Sequence, residues 1–165
     1  MHPERDWYFI DEDLDRRGWH PSISWIYDYW RAISPAGRLP GRQHMDPLDI
    51  APVILPDLWL LDVVRPGPRF RFRLIGTEIV RKLGRDFTGR WLDETDDAFR
   101  QRPEIIERYV ATVETGRPTY RIGPARITRT KEFEMLQNIF LPLAADGETV
   151  DILLALSIGY PAKKS

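Results

Sequence analysis

The segment VDILLALSIGY, residues 150–160, is apolar at nearly every position and shows no clean alternation of apolar and polar residues. A strand of that kind is covered on both faces, so it belongs in the middle of a sheet. The rest of the chain must supply its neighbours and its cover. Two of the other strand-like runs precede it directly, PTYRIGPARI (118–127) and FEMLQNIFLPL (133–143). The remaining two, LWLLDVVR (58–65) and FRFRLIG (70–76), flank a Pro-Gly-Pro turn at 66–68 and predict an antiparallel hairpin. Arginines mark two of these runs, Arg69, Arg71 and Arg73 on one and Arg117, Arg121 and Arg126 on the other. Charged side chains discourage sheets from pairing edge to edge, so both runs read as edge strands.

Helical spacing appears where the cover is needed. Ile23, Ile26, Trp30 and Ile33 recur at steps of three and four, Trp25 and Tyr29 widen the stripe, and Gly37 offers a stop. Asp46 is a natural N-cap for a short helix with Pro47 in its first position. TEIVRKLG reads as one short helix capped by Thr77 and closed by Gly84, and the turn RDFTGRW places a second positive-φ glycine at Gly89. Thr95 followed by Asp96 and Asp97 reads as another helix start, which explains those acids without a bound cation. PEIIERYVATVETG, opened by Pro103 and ended by Gly116, is the longest helix of the second half. The expected organisation is an irregular arm over 1–20, a helical segment over 21–56, a core over 57–160 and a short tail over 161–165.

A chain of 165 residues is long enough for one core that buries roughly 70% of the unfolded surface. With no cysteine it has no disulfide framework and no thiolate chemistry, which fits a reducing compartment. The N-terminus carries charges throughout, with no apolar signal region, and no window approaches the ~18 apolar residues of a membrane span. These features predict a soluble, cytoplasmic protein without membrane contact. Net charge is −1, yet residues 65–90 carry eight Arg and Lys against two acids. One alternative is therefore an anion or nucleic-acid binder working through Arg71, Arg73, Arg81, Lys82 and Arg85, with affinity that falls steeply with salt. Strand geometry accounts for the alternating arginines without it, so nucleic acid is the lesser reading. No nucleophile with a base, paired carboxylates or metal cluster stands out: Ser22, Ser24, Ser34 and Ser157 lack a nucleophile-elbow context and His44 is isolated. The chain reads as non-catalytic.

The order of elements, together with the runs FRFRLIGTEIVRKLGRDFTGR and LPLAADGETV, resembles the PAS domain family over about residues 37–160. More narrowly, GRLPGRQHMDPLDIAPVILPDLWLLDVV resembles a group of stand-alone bacterial PAS-like proteins of undefined function. The resemblance implies an α+β fold. Its five-stranded antiparallel sheet runs in the order 2-1-5-4-3, with helices on one face and the N-terminal amphipathic helix in addition. It also implies a role in sensing or association. Flavin-adduct and thiol-linked chromophore types need a cysteine, which is lacking here. Haem-binding members use a histidine on the long helix, whereas His2, His20 and His44 all precede residue 58 and Met135 is the only soft ligand within the core. No cofactor is expected. The candidate pocket consists of Phe72, Leu74, Tyr109, Tyr120, Gln137 and Leu154, suited to a small, largely apolar ligand because no basic cluster looks buried. Ile23, Ile26, Tyr29, Trp30 and Ile33 form the candidate seam of a homodimer, with a further protein partner as the other route of output.

Overall fold

The computed structural model describes residues 5–96, 98–125 and 135–161. His2, Asp97, Arg126, the first two residues of the expected 133–143 strand and the last four of the tail lie outside them. One antiparallel sheet organises the molecule. Its strands are β1 (Trp7–Phe9), β2 (Leu58–Val64), β3 (Arg69–Ile75), β4 (Thr119–Pro124), β5 (Met135–Leu143) and β6 (Ile152–Tyr160), arranged β1-β4-β5-β6-β2-β3. The apolar run 152–160 is central, as its pattern requires, and every residue from Ile152 to Ile158 is buried.

With β1 set aside, the observed order is the expected one. The addition is a correction to the N-terminal arm: Trp7, Tyr8 and Phe9 pair with Arg121, Tyr120 and Thr119. Thr119–Arg121, expected at an edge, are consequently covered. A second correction concerns the hairpin. Leu60 pairs with Leu74 but Leu61 pairs with Phe72, so Arg73 is the extra residue of a bulge. A bulge of one residue changes the face to which the following side chains point. Phe70 and Phe72 are therefore buried, while Leu74 stands on the opposite face and is 45% exposed.

Two apolar layers form, one on each face of the sheet. Helix α1 (Pro21–Ile33) packs Ile23, Ile26, Tyr27 and Trp30 against Leu58, Leu60, Ile139, Leu141, Leu154 and Leu156. It starts with Pro21 in the first turn and the His20 side chain accepting from the Ser22 N–H at 3.0 Å. It ends at Ser34, whose hydroxyl donates to the Trp30 carbonyl, three residues before Gly37. On the other face lie α2 (Thr77–Leu83), α3 (Ala98–Gln101) and α4 (Glu104–Thr115) over Trp59, Leu61, Phe70, Phe72, Phe140 and Leu153.

Several expected turns have the expected chemistry. Asp46 accepts from the Leu48 N–H at 2.9 Å. Gly84 and Gly89 hold φ of 85° and 83°, the left-handed region that glycine enters without steric cost. Two caps differ. The N-cap of α2 is Gly76, with Thr77 one position inside, and the Thr95 hydroxyl donates to the Leu92 carbonyl rather than opening a helix.

Candidate functional site

Between the sheet and the α2 and α4 layer lies a cavity of about 110 Å³. Its wall on the sheet side is one row that crosses four strands. Trp7 on β1 is opposite Arg121 on β4, Arg121 is opposite Asn138 on β5, and Asn138 is opposite Ser157 on β6. All four line the cavity. Because the strand period is two, each of these residues points to the same face as its cross-strand neighbour. Trp59, Phe72 and Phe140 continue the wall as an aromatic surface, and Ile79, Lys82 and Leu83 of α2 with Ile105, Arg108 and Tyr109 of α4 close it from above.

The polar groups are buried and closely engaged. Arg108, 4% exposed, donates from Nε to Thr119 Oγ1 at 3.1 Å and from Nη2 to the Thr119 and Asn138 carbonyls at 3.0 and 3.1 Å. Its Nη1 donates to Asn138 Oδ1, and the guanidinium lies 3.9 Å from the centre of the Phe140 ring. Asn138 Nδ2 in turn donates to Ser157 Oγ at 2.7 Å, and Trp59 Nε1 donates to the same oxygen at 3.0 Å. Arg121 donates from Nε to Asp6 at 2.7 Å. Lys82 reaches down from α2 to donate to the Ser157 carbonyl at 3.2 Å, with the Asp57 carboxylate 3.8 Å away.

Burial dominates the titration of that last pair. It pushes the Lys82 ammonium down from its ordinary range against the opposing pull of Asp57 and Glu78. It likewise pushes Asp57 up, with Lys82 opposing. At 3.8 Å the two charges compensate each other only in part.

The structure brings together two of the six expected pocket residues, Phe72 and Tyr109. The others are corrected to different places. Leu74 is turned away by the bulge, and Leu154 packs under α1. Tyr120 stacks on Trp19 with ring centres 4.9 Å apart, and its hydroxyl is pushed up by burial and by Tyr8 and Tyr160. Gln137 bridges the approach to α1, accepting from the His20 N–H at 2.7 Å and donating to the Gly18 carbonyl at 2.9 Å. The expectation that no basic cluster is buried is also overturned: Lys82, Arg108 and Arg121 are each less than a tenth exposed and all line the cavity.

The expected dimer seam is occupied within one chain. Ile23 and Ile26 have no exposed surface, Trp30 is buried and donates to the Pro142 carbonyl at 2.9 Å, and Tyr29 and Ile33 flank the same layer. Of the residues in the nucleic-acid alternative, Arg71 and Arg73 lie beside Asp62, Arg81 pairs with Glu78, Arg85 lies over Phe87, and Lys82 is buried.

Arg108, Arg121, Asn138 and Ser157 are site residues that sequence reasoning missed, and Lys82 was assigned to a surface. A signal existed for Arg108. It falls at the same helical spacing as Ile105 and Thr112, on the stripe that α4 buries. Ser157 similarly interrupts an otherwise apolar run, and Asn138 with Gln137 interrupts another. Among the described residues no group of three or more His, Asp or Glu side chains is placed to hold a metal, and no helix is long and apolar enough to cross a membrane.

A model of the PAS domain family matches residues 19–157, which is most of the chain. The protein belongs to the PAS domain family. PAS domains are sensory or interaction modules, and that class applies here. A solved RNA-binding Light-Oxygen-Voltage receptor is similar to this PAS domain at 12% identity and a TM-score of 0.49. That similarity covers 93% of this chain and 37% of the receptor, so the PAS domain spans little more than a third of it. No curated protein matches the chain.

Proposed function

We propose that this PAS domain is a non-catalytic, ligand-responsive module that works by self-association or by binding a protein partner. A small molecule enters the cavity between the sheet and the α2 and α4 layer, and its presence biases the packing of those helices. The observation that carries the reading is the cavity itself: mostly apolar, about 110 Å³, with a converging polar wall in Asn138, Ser157, Lys82 and Arg108. An apolar lining with a few convergent polar groups is the usual form of a small-molecule site, and this one is at the small end of the range. α2 supplies the means of response, because it is seven residues long, bears the buried Lys82 and is closed by Gly84. A ligand that touched Lys82 would act directly on this short element.

Native mass spectrometry of the purified full chain, joined to a thermal-shift screen of compounds with four to eight non-hydrogen atoms, tests the reading. A retained ligand, or a compound that raises the melting temperature in wild type and not in a cavity-filling Phe72→Trp variant, is expected. Light scattering with and without that compound then reads the association state. A chain that carries no ligand and is stabilised by no compound in the screen refutes the proposal.

A further inference from the structure

Among the cavity-lining residues are three cations, Lys82, Arg108 and Arg121, and no carboxylate. Asp6 and Asp57 lie beside Arg121 and Lys82, outside the lining. A guest in the cavity therefore touches cations and neutral groups directly, with two of the three cations partly offset by carboxylates behind the wall. Within a low-dielectric enclosure such an asymmetry favours an anion over a neutral molecule of the same shape.

A second observation is independent of charge. A serine hydroxyl offers two acceptor lone pairs and one hydrogen to donate. Ser157 Oγ already receives two donors, Trp59 Nε1 at 3.0 Å and Asn138 Nδ2 at 2.7 Å. The direction of the Asn138 amide is set by its other end, since its Oδ1 accepts from Arg108 Nη1. Both lone pairs of Ser157 Oγ are thus committed. Its hydrogen remains to be given, and among the described residues none accepts it. Ser157 lines the cavity, so an acceptor held in that space can take this hydrogen.

Volume and wall chemistry narrow the acceptor further. A cavity of about 110 Å³ is small beside ordinary ligand pockets and suits a compound of few atoms. Donors reach it from the sheet (Arg121, Asn138, Ser157) and from the helices above (Lys82, Arg108), and apolar residues such as Phe72, Ile79, Leu83, Leu92 and Leu136 outnumber them in the lining. A tetrahedral oxyanion would leave oxygens against that apolar surface without donors, which is costly. A monocarboxylate brings only two oxygens, with an alkyl group for the apolar lining.

We propose that the ligand is a short monocarboxylate whose oxygens accept from the Ser157 hydroxyl, with the charge balanced by Lys82 and Arg108 and the alkyl group packed on the apolar lining, such as Phe72 and Leu92. This rests on the cavity being the ligand site. The upward pull of a bound anion on Lys82 would also offset the burial that holds its titration down.

Isothermal calorimetry on the full chain at fixed ionic strength, with acetate, propionate and butyrate as probes and propionamide, 1-propanol and inorganic phosphate as comparators, tests the assignment. The expected result is that propionate or butyrate binds at least tenfold more tightly than either neutral comparator or phosphate. Lys82→Met and Ser157→Ala should each weaken that binding at least tenfold, whereas Lys82→Arg should retain most of it. If Lys82→Met does not fold, Ser157→Ala carries the comparison. Binding of a neutral comparator as tightly as the carboxylates overturns the monocarboxylate assignment and leaves the ligand cavity standing. Carboxylate binding that is unchanged in Ser157→Ala and Lys82→Met overturns the site of the head group. Binding of none of the probes overturns the assignment, and a failed compound screen as well would remove the ligand cavity with it.

Discussion

Replacing Arg108 with methionine should be among the more damaging single changes in this domain, although it removes a buried charge. Methionine replaces most of the aliphatic stem, so the loss is mainly polar. Asn138 Oδ1 loses the donor described above, and an orphaned buried acceptor costs ~1–3 kcal/mol. The carbonyls of Thr119 and Asn138 each lose a donor, at about 0.5–1.5 kcal/mol apiece. The stacking of the guanidinium on Phe140 contributes ~1–2 kcal/mol more at a desolvated site. Opposing these losses is relief from desolvating the guanidinium, which is worth several kcal/mol. The net expectation is a loss of roughly 2–4 kcal/mol, or about 5–15 °C in melting temperature for a domain of this size. Urea denaturation followed by tryptophan fluorescence measures it, with the slope against urea unchanged. Removing the acceptor too, in Arg108→Met/Asn138→Leu, should restore at least ~1 kcal/mol relative to additivity. An Arg108→Met protein within ~0.5 kcal/mol of wild type would refute the reasoning.

Two further outcomes follow from the same geometry. Trp30→Ala empties a buried position and orphans the Pro142 carbonyl, so thermal denaturation should show a loss of ~3–5 kcal/mol, and light scattering should show no simple dissociation of a stable dimer into stable monomers. For Lys82, held below its ordinary value of 10.5 by burial, the unfolded state keeps its proton to higher pH than the folded state does. Stability therefore rises with pH in the window just below 10.5, by up to ~1.4 kcal/mol per pH unit, with Asp57 and Glu78 moderating the effect and Arg81 adding to it. Urea titrations at stepped alkaline pH should show that rise in wild type and a flatter profile in Lys82→Met, and equal slopes would contradict it.

The parts of the fold visible in the sequence are those whose pattern is local. The 152–160 run is apolar on both faces, α1 and α4 carry helical stripes, and the turn glycines sit where a left-handed residue is needed. What escaped depends on partners remote in sequence. Trp7, Tyr8 and Phe9 have too short a pattern to reveal a strand, and only the open edge of β4 makes them one. The bulge at Arg73 cannot be seen in FRFRLI, whose alternation is unbroken, because it is created by the register with β2. That one residue separates Leu74 from Phe72, which accounts for one wrong pocket residue. Tyr120, Gln137 and Leu154 were misplaced for a related reason: alternation shows that two faces exist without saying which one a helix roofs. Arg108, Lys82 and Arg121 escaped because charged residues are seldom buried, and the prior for a surface position outweighed the helical spacing of Arg108.

The pairing of β1 with β4 also governs how this sheet meets other sheets. It covers Thr119–Arg121, half of the six residues of β4, with a strand only three residues long. Very short rims are poor templates for an incoming strand. At the far end, the Phe72 N–H donates to the Arg90 carbonyl at 2.9 Å, and the Phe72 carbonyl accepts from the Gly89 N–H at 2.7 Å. The turn after α2 thus folds back over the backbone of β3. Each flank of the sheet is guarded in part by the chain's own segments, one from the N-terminal region and one from the middle. Trimming residues 1–10, as in a shortened expression variant, would unmask Thr119–Arg121 and invite the colloidal association of partly folded chains.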